Sequence, residues 1–147
     1  MAGSRPGRKS PDRYARAALL CALLASAAAR ADAPPYPKFR PGLWQREATM
    51  DVNGKLGTQQ TSKCGDPTDG MRAIFVPDPN AQGCRFSTPE QHGNRYSITS
   101  DCGSHGRSHI EVTQHSGESF TMVIDTRMGN TQVHETVVAR RVGECSK

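Results

Sequence analysis

The sequence predicts an all-β fold: an antiparallel meander of about seven strands curled into a small barrel or sandwich, with one short helix in the 65–83 loop and two disulfides. Three observations carry this reading. Apolar and polar residues alternate with a period of two in several runs beyond residue 42, most clearly from Phe120 to Met128. Tight-turn sequences separate the runs. Four cysteines follow a leader with the features of an export signal.

Residues 1–31 read as a signal peptide: a basic stretch to about Arg16, an apolar run from Ala17 to Ala25, and small residues ending in Ala29-Arg30-Ala31, with cleavage before Asp32. The apolar run to Ala29 is 13 residues long, against the roughly 20 that a spanning helix needs. Leu20 before Cys21 argues against lipidation, since that position is normally small. The expected product is a periplasmic or secreted protein with no stable membrane insertion. Six of the 19 Lys and Arg, but only Asp12 among the 14 acids, lie in residues 1–31, so 13 of each sign remain from Asp32 onward. A nucleic-acid-binding domain should keep a positive excess, and here none is left.

Residues 32–41 form a Pro-rich leader, expected to be extended and unpaired because Pro cannot donate to a ladder. A single domain over 42–147 follows. Its first strand runs from Gly42 to Asp51 with Trp44, Ala48, Met50 and Val52 on one side and Arg46 interrupting them. Val52-Asn53-Gly54-Lys55 signals a type I′ hairpin turn. Residues 55–63 return as a polar strand near an edge. Asp66-Pro67-Thr68-Asp69 has a cap, a Pro at the first helical position and an early acid, predicting a helix to about Phe75. Further strands are expected at 84–90, 94–102, 107–115, 118–128 and 131–142. Phe120, Met122, Ile124, Thr126 and Met128 make the clearest period-2 face.

Removal of the leader leaves Cys64, Cys84, Cys102 and Cys145, an even set that reads as two disulfides in an exported domain. Folding the segment about Gly93 opposes Gln91 to Arg95, Phe86 to Ser100 and Cys84 to Cys102. Directly opposed β-carbons lie about 4.5–5.5 Å apart, near what a disulfide needs. The expected pairs are Cys84–Cys102 and Cys64–Cys145. A zinc site is the weaker alternative, because no C-x-x-C occurs and the spacings of 20, 18 and 43 match no common finger. The staples matter because only 25 large apolar or aromatic residues fall among the 116 from Asp32 onward, a thin core for a domain of this size.

The order of features resembles a known family. Pro41-Gly42-Leu43-Trp44 opens the domain, Cys64 follows the first hairpin, and Cys84 and Cys102 bracket the next. Ser116-Gly117-Glu118-Ser119-Phe120 starts a later strand, and Arg140-Arg141-Val142-Gly143-Glu144-Cys145 closes the chain. This order, from Pro41 to Cys145, resembles the exported bacterial "domain of unknown function 3617" family. The resemblance implies a single-domain envelope protein and brings no catalytic residues with it.

Candidate chemistry is sparse. No G-x-S-x-G elbow exists, and Asp51, Glu111, Asp125 and Glu135 all suit outward strand positions, so no enzyme is expected. Of the five histidines, His109 and His115 share a strand face with Glu111, but they stand about 20 Å apart at roughly 3.3 Å per residue. A metal site there requires His134 or His105 folded close by, and neither metal nor other cofactor is expected. An apolar pocket at the open end of the sheet, lined by Trp44, Met50, Phe120, Met122 and Met128, is the preferred binding site, although the same residues supply the core. The alternative is a protein-interaction module that recruits an envelope protein through the leader, the 65–83 loop and polar strand edges.

Overall fold

The structure, a computed structural model, describes residues 33–78 and 83–146. The expected signal peptide lies outside the described residues. Eight strands form one antiparallel sheet: β1 (Gly42–Val52), β2 (Lys55–Gly65), β3 (Arg85–Phe86), β4 (Glu90–His92), β5 (Arg95–Asp101), β6 (Arg107–Ser116), β7 (Ser119–Met128) and β8 (Thr131–Gly143). Helix α1 (Pro67–Phe75) follows β2, and a 3₁₀ turn spans Gly103–His105. The strand order is β2-β1-β8-β7-β6-β5-β3, with β4 also on β5. The end strands β2 and β3 do not pair, so the sheet stays open and closes into neither a barrel nor a two-sheet sandwich.

Local sequence explains the elements. Asn53 and Gly54 take φ values of 51° and 85°, and the Asp51 carboxylate accepts from the Gly54 amide at 2.6 Å, as a type I′ hairpin asks. Asn53 also ties this turn to β8: its amide donates to the Gln132 carbonyl, and its side-chain oxygen accepts from the Gln132 amide. In α1 the Asp66 carboxylate caps the Thr68 amide at 2.8 Å, Pro67 opens the helix, and Pro67, Met71 and Phe75 are its buried residues, four apart. All eleven residues of β2 are exposed, as its polar sequence anticipates.

The strand expected at 84–90 is two short strands, which raises the count to eight. β3 pairs with β5 so that Phe86 opposes Ser100, the expected register. β4 pairs so that Gln91 opposes Tyr96 rather than Arg95. The turn is the two-residue pair Gly93-Asn94, with Gly93 at φ 64° in its first position, and not a loop centred on Gly93. The one-residue slip is absorbed at Ser87-Thr88-Pro89, where Pro89 has no N–H for a ladder. Beyond the slip, Cys84 and Cys102 stand 4.0 Å apart at Cα in a disulfide, and Cys64 and Cys145 stand 5.6 Å apart in the second.

The core lies on one sheet face beneath α1 and the leader. Trp44, Tyr96, Ile98, Val112, Phe120, Val137 and Ala139 are buried from the sheet, Met71 and Phe75 from α1. Phe39 stacks between Trp44 and Phe120, with ring centroids at 5.7 and 4.8 Å. The leader makes no strand but is packed. Pro37 and Phe39 are buried, the Phe39 amide donates to the Thr68 hydroxyl at 2.8 Å, and the Arg40 amide donates to Gly117 at 2.8 Å. Trp44 returns its indole N–H to the Arg40 carbonyl at 3.1 Å, which satisfies its polar handle.

Candidate functional site

Directly opposed residues share a sheet face, so the ladder sorts every side chain. On the core face, Ile98 opposes Ile110 and Ile110 opposes Ile124. Helix α1 packs against β5 in this row. Between the end of α1 and strands β3, β5 and β6 lies a groove of about 310 Å³, lined by Ala73, Ile74, Pro77, Asp78, Phe86, Ile98, Ser100 and Ile110. Phe86, on the edge strand held by Cys84–Cys102, is 39% exposed at its rim. The five residues named from sequence are spread along the same face. Trp44 and Phe120 sit inside the core and Met122 packs against it, while Met50 and Met128 lie exposed at the opposite end. The groove residues Ile74, Phe86, Ile98 and Ile110 were not among them, since the position of α1 over β5 is a tertiary fact with no local signal.

The opposite face is polar. One cross-strand row runs Asp51, His134, Asp125, His109, Thr99 over β1, β8, β7, β6 and β5. His134 Nδ1 and Asp125 Oδ1 are 2.7 Å apart, and His109 Nδ1 lies 3.1 Å from the Thr99 hydroxyl. The next row holds Asp101, Arg107, Arg127 and Gln132, so two arginines stand directly opposite one another. Arg107 is paired with Asp101 at 2.7 Å. That guanidinium, with the Gly103 amide, holds the Asp101 carboxyl below its usual range, and the carboxylate in turn raises Arg107. These rows floor a groove of about 810 Å³ at the sheet end formed by the β1–β2 turn, the β7–β8 turn and the 3₁₀ turn.

His134 Nε2 lies 3.4 Å from the Thr136 hydroxyl, so Thr136, His134 and Asp125 have the order of a hydroxyl–imidazole–carboxylate triad. β8 is an interior strand whose amides are spent in the ladders to β1 and β7, which leaves no pair of amides to form an oxyanion hole. Among the described residues, no three His, Cys, Asp or Glu side chains are grouped to enclose a metal ion as they stand. Of the other histidines, His92 faces Glu90 at 3.6 Å, His115 meets the Thr121 hydroxyl at 2.9 Å, and His105 ends the 3₁₀ turn.

Comparison with known proteins bears on the whole of this framework. A family described as "Protein of unknown function (DUF3617)" matches residues 39–145. The chain belongs to the DUF3617 family. The match begins at Phe39, the aromatic that the leader inserts between Trp44 and Phe120, and ends at Cys145, the last half of a disulfide. The DUF3617 region thus contains both staples, α1 and the entire sheet. No curated protein and no solved structure matches the chain.

Proposed function

We propose that this DUF3617 domain is a non-enzymatic binding protein of the periplasm or extracellular space that holds a small apolar ligand in the groove between α1 and the sheet. The observation that carries the reading is the groove itself. Four of its lining residues, Ile74, Phe86, Ile98 and Ile110, are large and apolar, and Phe86 is left exposed at its rim. Ile98 is already buried, so an apolar ligand laid along the groove removes the remaining exposed surface of Phe86, Ile74 and Ile110 from water at about 25 cal/mol per Å². Ser100 supplies a polar group that orients a ligand. Two disulfides support a compartment outside the cytoplasm. No helix among the described residues is long and apolar enough to cross a membrane.

The test is displacement of an environment-sensitive apolar dye by saturated fatty acids, with native mass spectrometry of the freshly purified protein. Ala73→Trp, which fills the groove from the exposed side of α1, should weaken dye binding at least tenfold, with Leu56→Ala on β2 as the unaffected control. Dye binding that ignores Ala73→Trp, or none at all, overturns the reading. A second reading, recruitment of an envelope protein, is favoured by β2, whose outer edge is unpaired and whose eleven residues are all exposed. Crosslinking from β2 in the native envelope to one specific protein, without bound lipid, supports this alternative.

A further inference from the structure

The polar face carries an observation independent of the apolar groove. In the row Asp51, His134, Asp125, His109, carboxylate and imidazole alternate across four successive strands. Both imidazoles are oriented in the same way. His134 is held through Nδ1 by the Asp125 carboxylate, and His109 through Nδ1 by the Thr99 hydroxyl. A metal-ligating histidine characteristically has its second nitrogen fixed by a carboxylate or other oxygen, which sets the tautomer and raises ligand basicity. Each ring is thereby left with Nε2 as its available nitrogen, since the Thr136 hydroxyl at 3.4 Å from His134 is at the long limit of a hydrogen bond.

We propose that His109 and His134 bind a divalent transition-metal ion through their Nε2 atoms, with Asp125 as the positioning carboxylate and water completing the coordination shell. The two histidines stand two strands apart, one on either side of Asp125, a Cα separation of about 10 Å at the usual strand spacing. His134 keeps its Nδ1 contact with Asp125, and the exposed His109 ring closes on the same ion by turning from Thr99 toward Asp125, without moving the ladder. The groove lining also favours a cation, because Asp51, Asp101 and Asp125 outnumber Arg107 and Arg127. Imidazole and oxygen donors suit copper and zinc, and the general order of affinities places copper(II) above zinc(II).

The experiment is isothermal titration of the disulfide-bonded protein from residue 32 onward with copper(II) and, separately, zinc(II). In parallel, ¹⁵N–¹H correlation spectra follow the histidine ring nitrogens. The expected result is one ion per chain, copper bound more tightly than zinc, and Nε2 resonances of His109 and His134 shifted or broadened together. His109→Gln or His134→Gln should each weaken binding at least tenfold, Asp125→Asn less, and His92→Gln or His115→Gln not at all. Circular dichroism checks that every variant keeps its sheet. The proposal is overturned by absence of heat and ring perturbation at micromolar protein, or by binding that survives both His109→Gln and His134→Gln.

Discussion

At Gly42 a β-carbon would lie 2.5 Å from the Gly143 carbonyl oxygen and 2.5 Å from Arg141 Nε, at a φ of 155°. This is the physical content of the Pro41-Gly42-Leu43-Trp44 opening: the chain enters β1 pressed against the end of β8. Arg141 donates to the Pro41 carbonyl at 2.9 Å and also pairs with Glu144, whose carboxyl it holds below the ordinary range. Gly42→Ala should cost about 1–3 kcal/mol, read as a fall in urea midpoint with unchanged m-value. Asp101 gives a pH signature. Its pKa is depressed in the fold by Arg107 and the Gly103 amide, so its contribution is present above the unfolded carboxyl value near 3.9 and is lost as pH falls through the folded one. In Asp101→Asn the decline of the urea midpoint as pH falls below about 4 should therefore be shallower than in the parent protein. Parallel pH profiles would show that the Asp101–Arg107 contact is not formed in solution. Single residues were also legible at the turns. Asn53-Gly54 announces positive φ, and the Gly129-Asn130 turn by itself opposes Asp125 to His134.

At the scale of elements, α1 is the clearest success of local reading, because cap, Pro and acid all act within one turn. Asp66→Ala removes the acceptor for the Thr68 amide and should cost about 0.5–2 kcal/mol. The effect should appear as earlier amide exchange in α1 than in β7. The leader was the harder element. Its prolines correctly exclude a strand, but no periodicity shows that Phe39 drops between Trp44 and Phe120, because that contact joins segments far apart in sequence. Phe39→Ala should cost about 3–5 kcal/mol, measurable by chemical denaturation, whereas a leader that merely dangled would lose nothing. Strand register was legible only where turns are regular. The irregularity between Gln114 and Ser116 shifts β6 against β7. Sequence therefore could not show that His109 faces Asp125, although it could name His134 as a missing partner.

At the scale of the whole molecule, the two disulfides do different jobs. Cys84–Cys102 closes 18 residues beside the apolar groove, and Cys64–Cys145 closes 81, joining the fully exposed β2 to the end of the chain. Loop-entropy reasoning gives about 3 kcal/mol for the first and about 4–5 for the second. The paired variant Cys64→Ser/Cys145→Ser should thus lower the thermal midpoint more than Cys84→Ser/Cys102→Ser; the reverse order would mean that β3 anchors more of the fold than its two residues suggest. Strand number and alternation foretold a β fold with a small core, yet closure was beyond them, since whether the two outermost strands meet depends on twist and on what caps the face. The packed leader has a practical corollary for anyone who handles this protein. A purification tag fused directly at Gly42 would replace a wall of the interior, whereas one joined ahead of the exposed Ala33 would leave Pro37 and Phe39 in place.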